Sequence, residues 1–344
     1  MPVFNAQYLN GVASNIFLLS GAPAAVADLV ADALVEANLV GHDSHGLIRI
    51  VEYLKQIQDG KVNPAAEPEI VKESATTLLV DGHHGFGQLV ARWAMERIIE
   101  KARGSYTAAA CVLNCGHVGL TGTYPAMAAE QGMVGMAFVN GGGSKPRVVP
   151  FGGGSPMFGT NPLAAALPVK DARPIVLDFS TSVVASGKIR VYRDKGEPLP
   201  EGWILDSQGR PSRDPKEYYD GGMLLPAGGH KGSGLALLVE VLAGLLSGSG
   251  SLILPESGYG GGNGVFLWVL NVEAFQPQEH FSSQVGRMAD VLRATRPCAG
   301  SPGVLIPGDP EEATRQERLS KGIDIPQKTW DQIVEAASRL GVSI

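Results

Sequence analysis

"AAACVLNCGHVGLTGTYPAMAAEQGMVGMAFVN", residues 108–140, decides the architecture. Its ends, AAACVLN (108–114) and MVGMAFVN (133–140), are apolar runs of strand length, and TYPAMAAEQG between them has the spacing of a short helix. Outward from there the pattern repeats. TTLLVDG (76–82) reads as a strand and GQLVARWAMERIIEKARG (87–104) as a helix. PIVLDFS (174–180) and GVFLWVLNV (264–272) read as strands, and SSQVGRMADVLRAT (282–295) as a helix. GSGLALLVEVLAGLLSG (232–248) is almost all apolar, which predicts a helix buried on every side. Strands alternating with helices predict an α/β layer architecture.

Both ends of the chain read as helical. Asn5 is placed to cap a helix running to about Ser20, and APAAVADLVADALVEANLVG (22–41) keeps helical spacing until Gly41. LIRIVEYLKQIQDG (47–60) follows, with Leu47, Ile50, Val51, Leu54 and Ile57 on one face. Asn63, Pro64 and Pro68 mark a connector. Glycine and proline crowd 297–310, the mixed-charge run 309–325 reads as surface, and KTWDQIVEAASRLG (328–341) reads as a terminal helix. There is no internal repeat.

Composition narrows the function. The net charge is −6 without a long basic run, which argues against nucleic acid or an anionic membrane surface as partner. No apolar stretch reaches the ~20 residues of a membrane helix, and the first residues lack the basic start and apolar run of a secretory signal. The cysteines are Cys111, Cys115 and Cys298, an odd number without a CxxC pair, which fits a reducing compartment. The expectation is a cytoplasmic soluble protein, and without an HExxH or His/Cys cluster no metal is expected.

Two familiar nucleotide motifs are missing. No GxxxxGK[ST] loop exists, and neither GGGSPMFG (152–159) nor GYGGGNG (258–264) has the GxGxxG spacing that opens a helix after a strand. GHDSHGLIRI (41–50) is more suggestive. Ser44 can cap a helix, which would put His45 in the first turn, and Arg49 and Tyr53 would share a face apart from the apolar stripe. Guanidinium, phenol and imidazole together suit a small carboxylate beside a group that exchanges a proton. Taken alone, this segment is explained slightly better by a capped helix with a polar outer face.

NCGHVGLTGTYP (114–125) then sets His117 between glycines beyond a strand end, where α/β proteins keep their sites. FGTNP (158–162), LDFSTS (177–182) and GGHKGSGLAL (228–237) are polar or glycine-rich ends of apolar elements, and Lys231 suits a phosphate or carboxamide. His83 and His84 read as a structural turn and His42 as a loop residue, while His280 and the cysteines read as structural or unassigned.

Taken together, EANLVGHDSHGLIRI, NCGHVGLTGTY, VPFGGGSPMFGTNPLAAALP, IVLDFSTSVVASGKI, HKGSGLALLVEVLAGLLSG and SPGVLIPGDPEE, in this order, resemble the malate/L-lactate dehydrogenase family of the non-Rossmann type, in particular its hydroxycarboxylate dehydrogenase B branch. The resemblance implies a three-layer fold with a mixed, partly antiparallel sheet, sulfolactate dehydrogenase-like rather than Rossmann, with helical N- and C-terminal segments. It implies NAD, with NADP possible, bound without the usual fingerprint, and a homodimer. Residues 1–65 with 312–344 would form a helical substrate-side segment, and 66–311 the cofactor-binding α/β domain.

By the same resemblance, His45 and His117 are the catalytic candidates, and Ser44, Arg49 and Tyr53 face the substrate. Cofactor contacts fall on His45, Gly119, Leu120, Thr121, Val176, Leu177, Asp178, Phe179, Ser180, His230, Lys231, Asn263, Gly308, Asp309, Pro310 and Glu311. The loop NGGGSKPRVV (140–149) departs from relatives, which carry varied residues there, and this leaves Ser144 and Lys145 without a role. The implied reaction moves hydride between the nicotinamide and a 2-hydroxy or 2-oxo acid. Arg49 would hold the carboxylate and a histidine, His117 by preference, would move the proton. A cyclic imino acid of the piperideine-2-carboxylate type is the alternative substrate, and a cofactor-fold binding protein without catalysis is the alternative class.

Overall fold

The computed structural model describes residues 2–141, 145–258, 261–342 and 344, so Ser144 lies outside the described residues. Strand β1 (Val3–Phe4) leads into α1 (Ala6–Leu19), which Asn5 caps as expected by accepting the Tyr8 N–H at 2.7 Å. Helices α2 (Ala24–Leu39) and α3 (Ile50–Gln58) follow. Next come β2 (Glu69–Glu73), β3 (Thr77–Gly85), α4 (Gly87–Ser105), β4 (Thr107–Cys115), α5 (Thr123–Ala129) and β5 (Met133–Gly141). Strands β6 (Leu163–Leu167) and β7 (Ile175–Phe179) form a hairpin. Then α6 (Ser186–Lys195), β8 (Ile204–Leu205), β9 (Pro211–Ser212), α7 (Pro215–Tyr219) and β10 (Met223–Leu224) build a small unit around the sheet β10-β8-β9. The chain closes with α8 (His230–Val239), β11 (Asn263–Asn271), α9 (Gln278–Arg293), α10 (Asp309–Lys321), β12 (Ile323–Asp324) and α11 (Gln327–Leu340).

Among the described residues the main sheet has seven strands in the order β2-β3-β4-β11-β5-β6-β7. Only β3 and β4 pair in parallel, joined by the α4 crossover; each other neighbouring pair is antiparallel. The sheet is mixed. Side chains alternate across it with period two. Val265, Leu267 and Val269 of β11 face Ala91, Met95 and Ile98 of α4 and Tyr124 of α5, whereas Phe266 faces Val239 of α8. Two helical layers therefore sandwich the sheet, the three-layer α/β arrangement expected. A separate core gathers Leu9, Ile16 and Phe17 of α1, Val30 and Leu34 of α2, Ile50 and Tyr53 of α3, and Ile333 and Ala337 of α11.

Three expectations need correction. The helix expected after Ser44 begins only at Ile50, preceded by two single turns, Asp43–His45 and Leu47–Arg49. Asn38 is the reason: its Oδ1 accepts the Leu47 N–H at 2.9 Å, and Gly46, extended at φ −88° and ψ −151°, makes room for that side chain. Ser44 consequently caps nothing, and Val51 is exposed while Tyr53 is buried. The second correction concerns 232–248. Leu237, Leu238, Val241, Leu245 and Leu246 stand 55%, 43%, 43%, 41% and 59% exposed, so one flank of that helix is open. Third, the run 309–325 is not surface throughout: Ile323 and Ile325 are buried, while its exposed part is a full helix, α10, without a buried residue. Its lack of an apolar stripe hid it from a periodicity reading.

Candidate active site

His45 closes the turn Asp43–His45, which is fixed from below. Asn38 Nδ2 donates to Asp43 Oδ1 at 2.6 Å, and Arg318 of α10 donates to the two Asp43 oxygens at 2.6 and 3.0 Å. His117 sits in the loop after β4. That loop is held by Asn263, whose Oδ1 accepts the Val118 N–H at 3.0 Å while its Nδ2 donates to Asn140 O at 3.0 Å. The Tyr124 hydroxyl donates to Val118 O. Gly87, opening α4, lies against the same loop: a Cβ there would overlap Gly116 O and stand 2.5 Å from His117 O. Only glycine fits.

The two imidazoles, 72 residues apart in sequence, stack with centroids 5.3 Å apart and planes within 8°. Burial pushes the His45 ring down to about 3, helped by the charges of Arg49 and His42. Burial likewise holds His117 well below its ordinary value, with Arg49 and then His45 adding to the effect. Both rings are neutral at neutral pH. Arg49 itself donates from Nε to Ser44 O at 2.7 Å and from Nη1 to Glu52 Oε2 at 2.7 Å. Behind His117, its Nδ1 lies 2.7 Å from the Tyr53 hydroxyl, which in turn lies 2.9 Å from Gln88 Nε2. Tyr53, 2% exposed, thus backs an imidazole rather than lining the surface.

The residues expected to hold a cofactor fall into two groups. In the first, the Gly122 N–H donates to Asp178 Oδ2 at 2.6 Å, joining the loop of Gly119, Leu120 and Thr121 to β7 with its Val176, Leu177, Asp178 and Phe179. Gly308 lies over the Val176 backbone, and Glu311 Oε1 reaches His42 Nε2 at 3.4 Å. Burial raises the Asp178 carboxyl, while the Gly122 N–H and the His42 charge oppose that rise. Asp309 accepts from Arg293 at 2.7 Å and from the Ile306 N–H at 3.0 Å, which fixes the turn at Pro310. In the second group, Gly232 packs on the backbones of Thr181 and Ala227, which sets His230 and Lys231 beyond the Ser180 end of β7. The His230 ring meets Phe151 edge-on at 5.8 Å.

Sequence reading missed Gln88, Asn38, Gly87 and Arg318. Gln88 carried one signal: it lies on the buried stripe of α4 with Ala91, Met95 and Ile98, where an amide must find a partner. Asn38 sits in the same way on the buried side of α2. Nothing local marks Arg318, whose partner Asp43 is distant in sequence.

The chain matches the family model described as malate/L-lactate dehydrogenase over residues 4–334. The chain belongs to the malate/L-lactate dehydrogenase family. Its relatives include a malate dehydrogenase of Pyrococcus abyssi, 40% identical over 94% of this chain and 90% of that protein. The hydroxycarboxylate dehydrogenase B of Escherichia coli (strain K12) is 36% identical over 98% and 94% of the two chains. Among solved structures, the sulfolactate dehydrogenase of Methanocaldococcus jannaschii superposes with a TM-score of 0.90 at 32% identity, covering 99% of this chain and 98% of that one. This family comprises oxidoreductases acting on hydroxy acids.

Gly87→Ala tests how tightly the His117 loop is packed. The added methyl meets backbone rather than a movable side chain. Overpacking of this kind costs typically about 1–3 kcal/mol, so denaturant unfolding should show a lower midpoint and turnover should fall with it. An unchanged midpoint would refute the close contact.

Proposed function

We propose that this chain is a nicotinamide-dependent 2-hydroxycarboxylate dehydrogenase that also runs in reverse as a 2-oxo acid reductase. The stacked pair His45 and His117, both within the field of Arg49, carries the reading. A fixed cation beside two neutral imidazoles suits an anionic carboxylate whose neighbouring oxygen gains or loses a proton.

The residues present fit a nicotinamide dinucleotide, NAD or NADP. His45 Nδ1 is buried and without a hydrogen-bond partner among the described residues, the mark of a group waiting for a ligand. Gly119, at φ +74°, lets the chain turn close to whatever lies there. The holding residues would be Gly119 to Thr121, Val176 to Ser180, Gly308 to Glu311, His230 and Lys231, with Asn263 keeping the loop in place. When bound, this cofactor supplies or accepts the hydride. Arg49, assisted by Ser44, orients the substrate carboxylate. His117 exchanges the proton with the substrate oxygen, and neutral His45 orients the reacting groups.

Turnover of a panel of 2-oxo acids with NADH and NADPH tests the reading. Reduction of at least one acid, lost in His117→Asn, is expected. Turnover confined to a cyclic imino acid such as piperideine-2-carboxylate would move the proton from oxygen to nitrogen, and cofactor binding without any turnover would make the chain a binding protein.

The same reading includes a homodimer. Leu237, Leu238, Val241, Leu245 and Leu246 present an open apolar flank, and a second copy of the chain is its occupant. Sedimentation should give twice the chain mass, and Leu238→Asp with Leu246→Asp should halve it. A wild-type monomer would end this part of the proposal. The free cysteines Cys111, Cys115 and Cys298 support a cytoplasmic setting. Among the described residues, no helix is long and apolar enough to cross a membrane.

A further inference from the structure

Behind His117 the direction of each hydrogen bond can be worked out. Gln88 Nε2 stands 2.9 Å from the Tyr53 oxygen and can only donate. Tyr53 has one proton, and His117 Nδ1 at 2.7 Å is the acceptor left for it. With Nδ1 accepting, the proton of the neutral ring sits on Nε2. In that state His117 offers an N–H to an oxygen but cannot take a proton from a hydroxyl at the same nitrogen.

Accepting a hydroxyl proton needs a lone pair on Nε2, hence a proton on Nδ1. The Tyr53 oxygen must then receive the Nδ1–H and point its own O–H elsewhere. Ionising the phenol is no way out, since burial pushes Tyr53 far up. Gln88 Oε1 offers the answer: it is buried and, among the described residues, lacks a hydrogen-bond partner. A half-turn of the amide puts this acceptor where Nε2 now stands.

We propose that Gln88 is a positioning residue which sets, through Tyr53, the nitrogen of His117 that carries the proton, its amide turning over between the two arrangements. The proposal rests on His117 being the proton-exchanging group. In hydroxy-acid oxidation the substrate O–H would break as N–H forms at Nε2, and a bound nicotinamide would be the group to take up the hydride from carbon. The ring, now imidazolium, keeps its Nδ1–H on Tyr53 and Tyr53 keeps its O–H on Gln88. Reduction returns the Nε2 proton to oxygen. In passing between the two neutral tautomers the ring gives up its Nε2 proton to water and takes one from water at Nδ1, while Tyr53 and Gln88 keep their own protons and turn their bonds around.

Nitrogen-15 NMR of the full chain labelled at histidine reads the tautomer directly, with His117 assigned by its loss in His117→Asn. The wild type should show Nδ1 as acceptor and Nε2 protonated at neutral pH. Gln88→Glu, measured where its carboxylate is ionised and only accepts, should invert this. Gln88→Leu and Tyr53→Phe should give mixtures. In turnover, Gln88→Leu should lower kcat about 10–100-fold, the size found for hydrogen-bond partners that orient metal-binding histidines, with KM nearly unchanged. Gln88→Glu and Gln88→Leu conserve side-chain size, so either folded variant is informative. A His117 tautomer identical to wild type in every folded variant overturns the proposal. The NMR needs neither substrate nor cofactor, so a wild type inert toward hydroxy acids would defeat the reading of function while leaving the tautomer result standing.

Discussion

His117→Asn is expected to lower kcat by about 10²–10⁴-fold, the range lost when a positioned acid–base group is removed. Asparagine keeps a polar group near Tyr53 but cannot exchange a proton. The rest of the cleft does not depend on the imidazole, because Asn263 and Tyr124 hold the loop through Val118. KM should therefore change little, and thermal unfolding should stay close to wild type. His45→Asn makes a comparison: its ring stacks on His117 but lacks the Tyr53 partner, so it should lose less kcat. A His45 variant more impaired than the His117 variant would exchange the two roles.

Arg49→Gln should act on binding and on pH together. Losing a charged hydrogen-bonding partner for the carboxylate costs about 1.5–3 kcal/mol, roughly tenfold to 150-fold in kcat/KM. The guanidinium also depresses both imidazoles, and its removal favours their protonated forms. Their titrations must then rise. The acidic limb of the kcat/KM profile should shift to higher pH in Arg49→Gln and stay in place in Arg49→Lys, which keeps the charge. Lysine should still lose part of the binding, since it cannot offer the planar fork. An unmoved limb in Arg49→Gln would separate Arg49 from the histidines.

Much of this was readable from the chain. The alternation of apolar runs with helical spacing around 108–140 led to an α/β layer fold, and Asn5 marked a helix start by its side chain alone. His45, Arg49 and His117 stood out because polar residues were concentrated beside glycine at element ends. Tertiary contacts limited the rest. The turn at Asp43–His45 depends on Asn38 and Arg318, one in the preceding helix and the other in α10. Asn263 offered no hint that it holds a loop from β11. The run 232–248 looked buried on all sides because an apolar flank that is open in one chain carries the same letters as a core.

Label transfer follows the hydride itself. A 2-hydroxy acid deuterated at C2 is incubated with the protein and oxidised NAD or NADP, and the recovered cofactor is analysed by mass spectrometry. One deuterium is expected on the nicotinamide ring, formed by the wild type and lost to near background in His117→Asn. If either cofactor binds and none of the 2-hydroxy acids tested gives up its deuterium, the chain is not the dehydrogenase described.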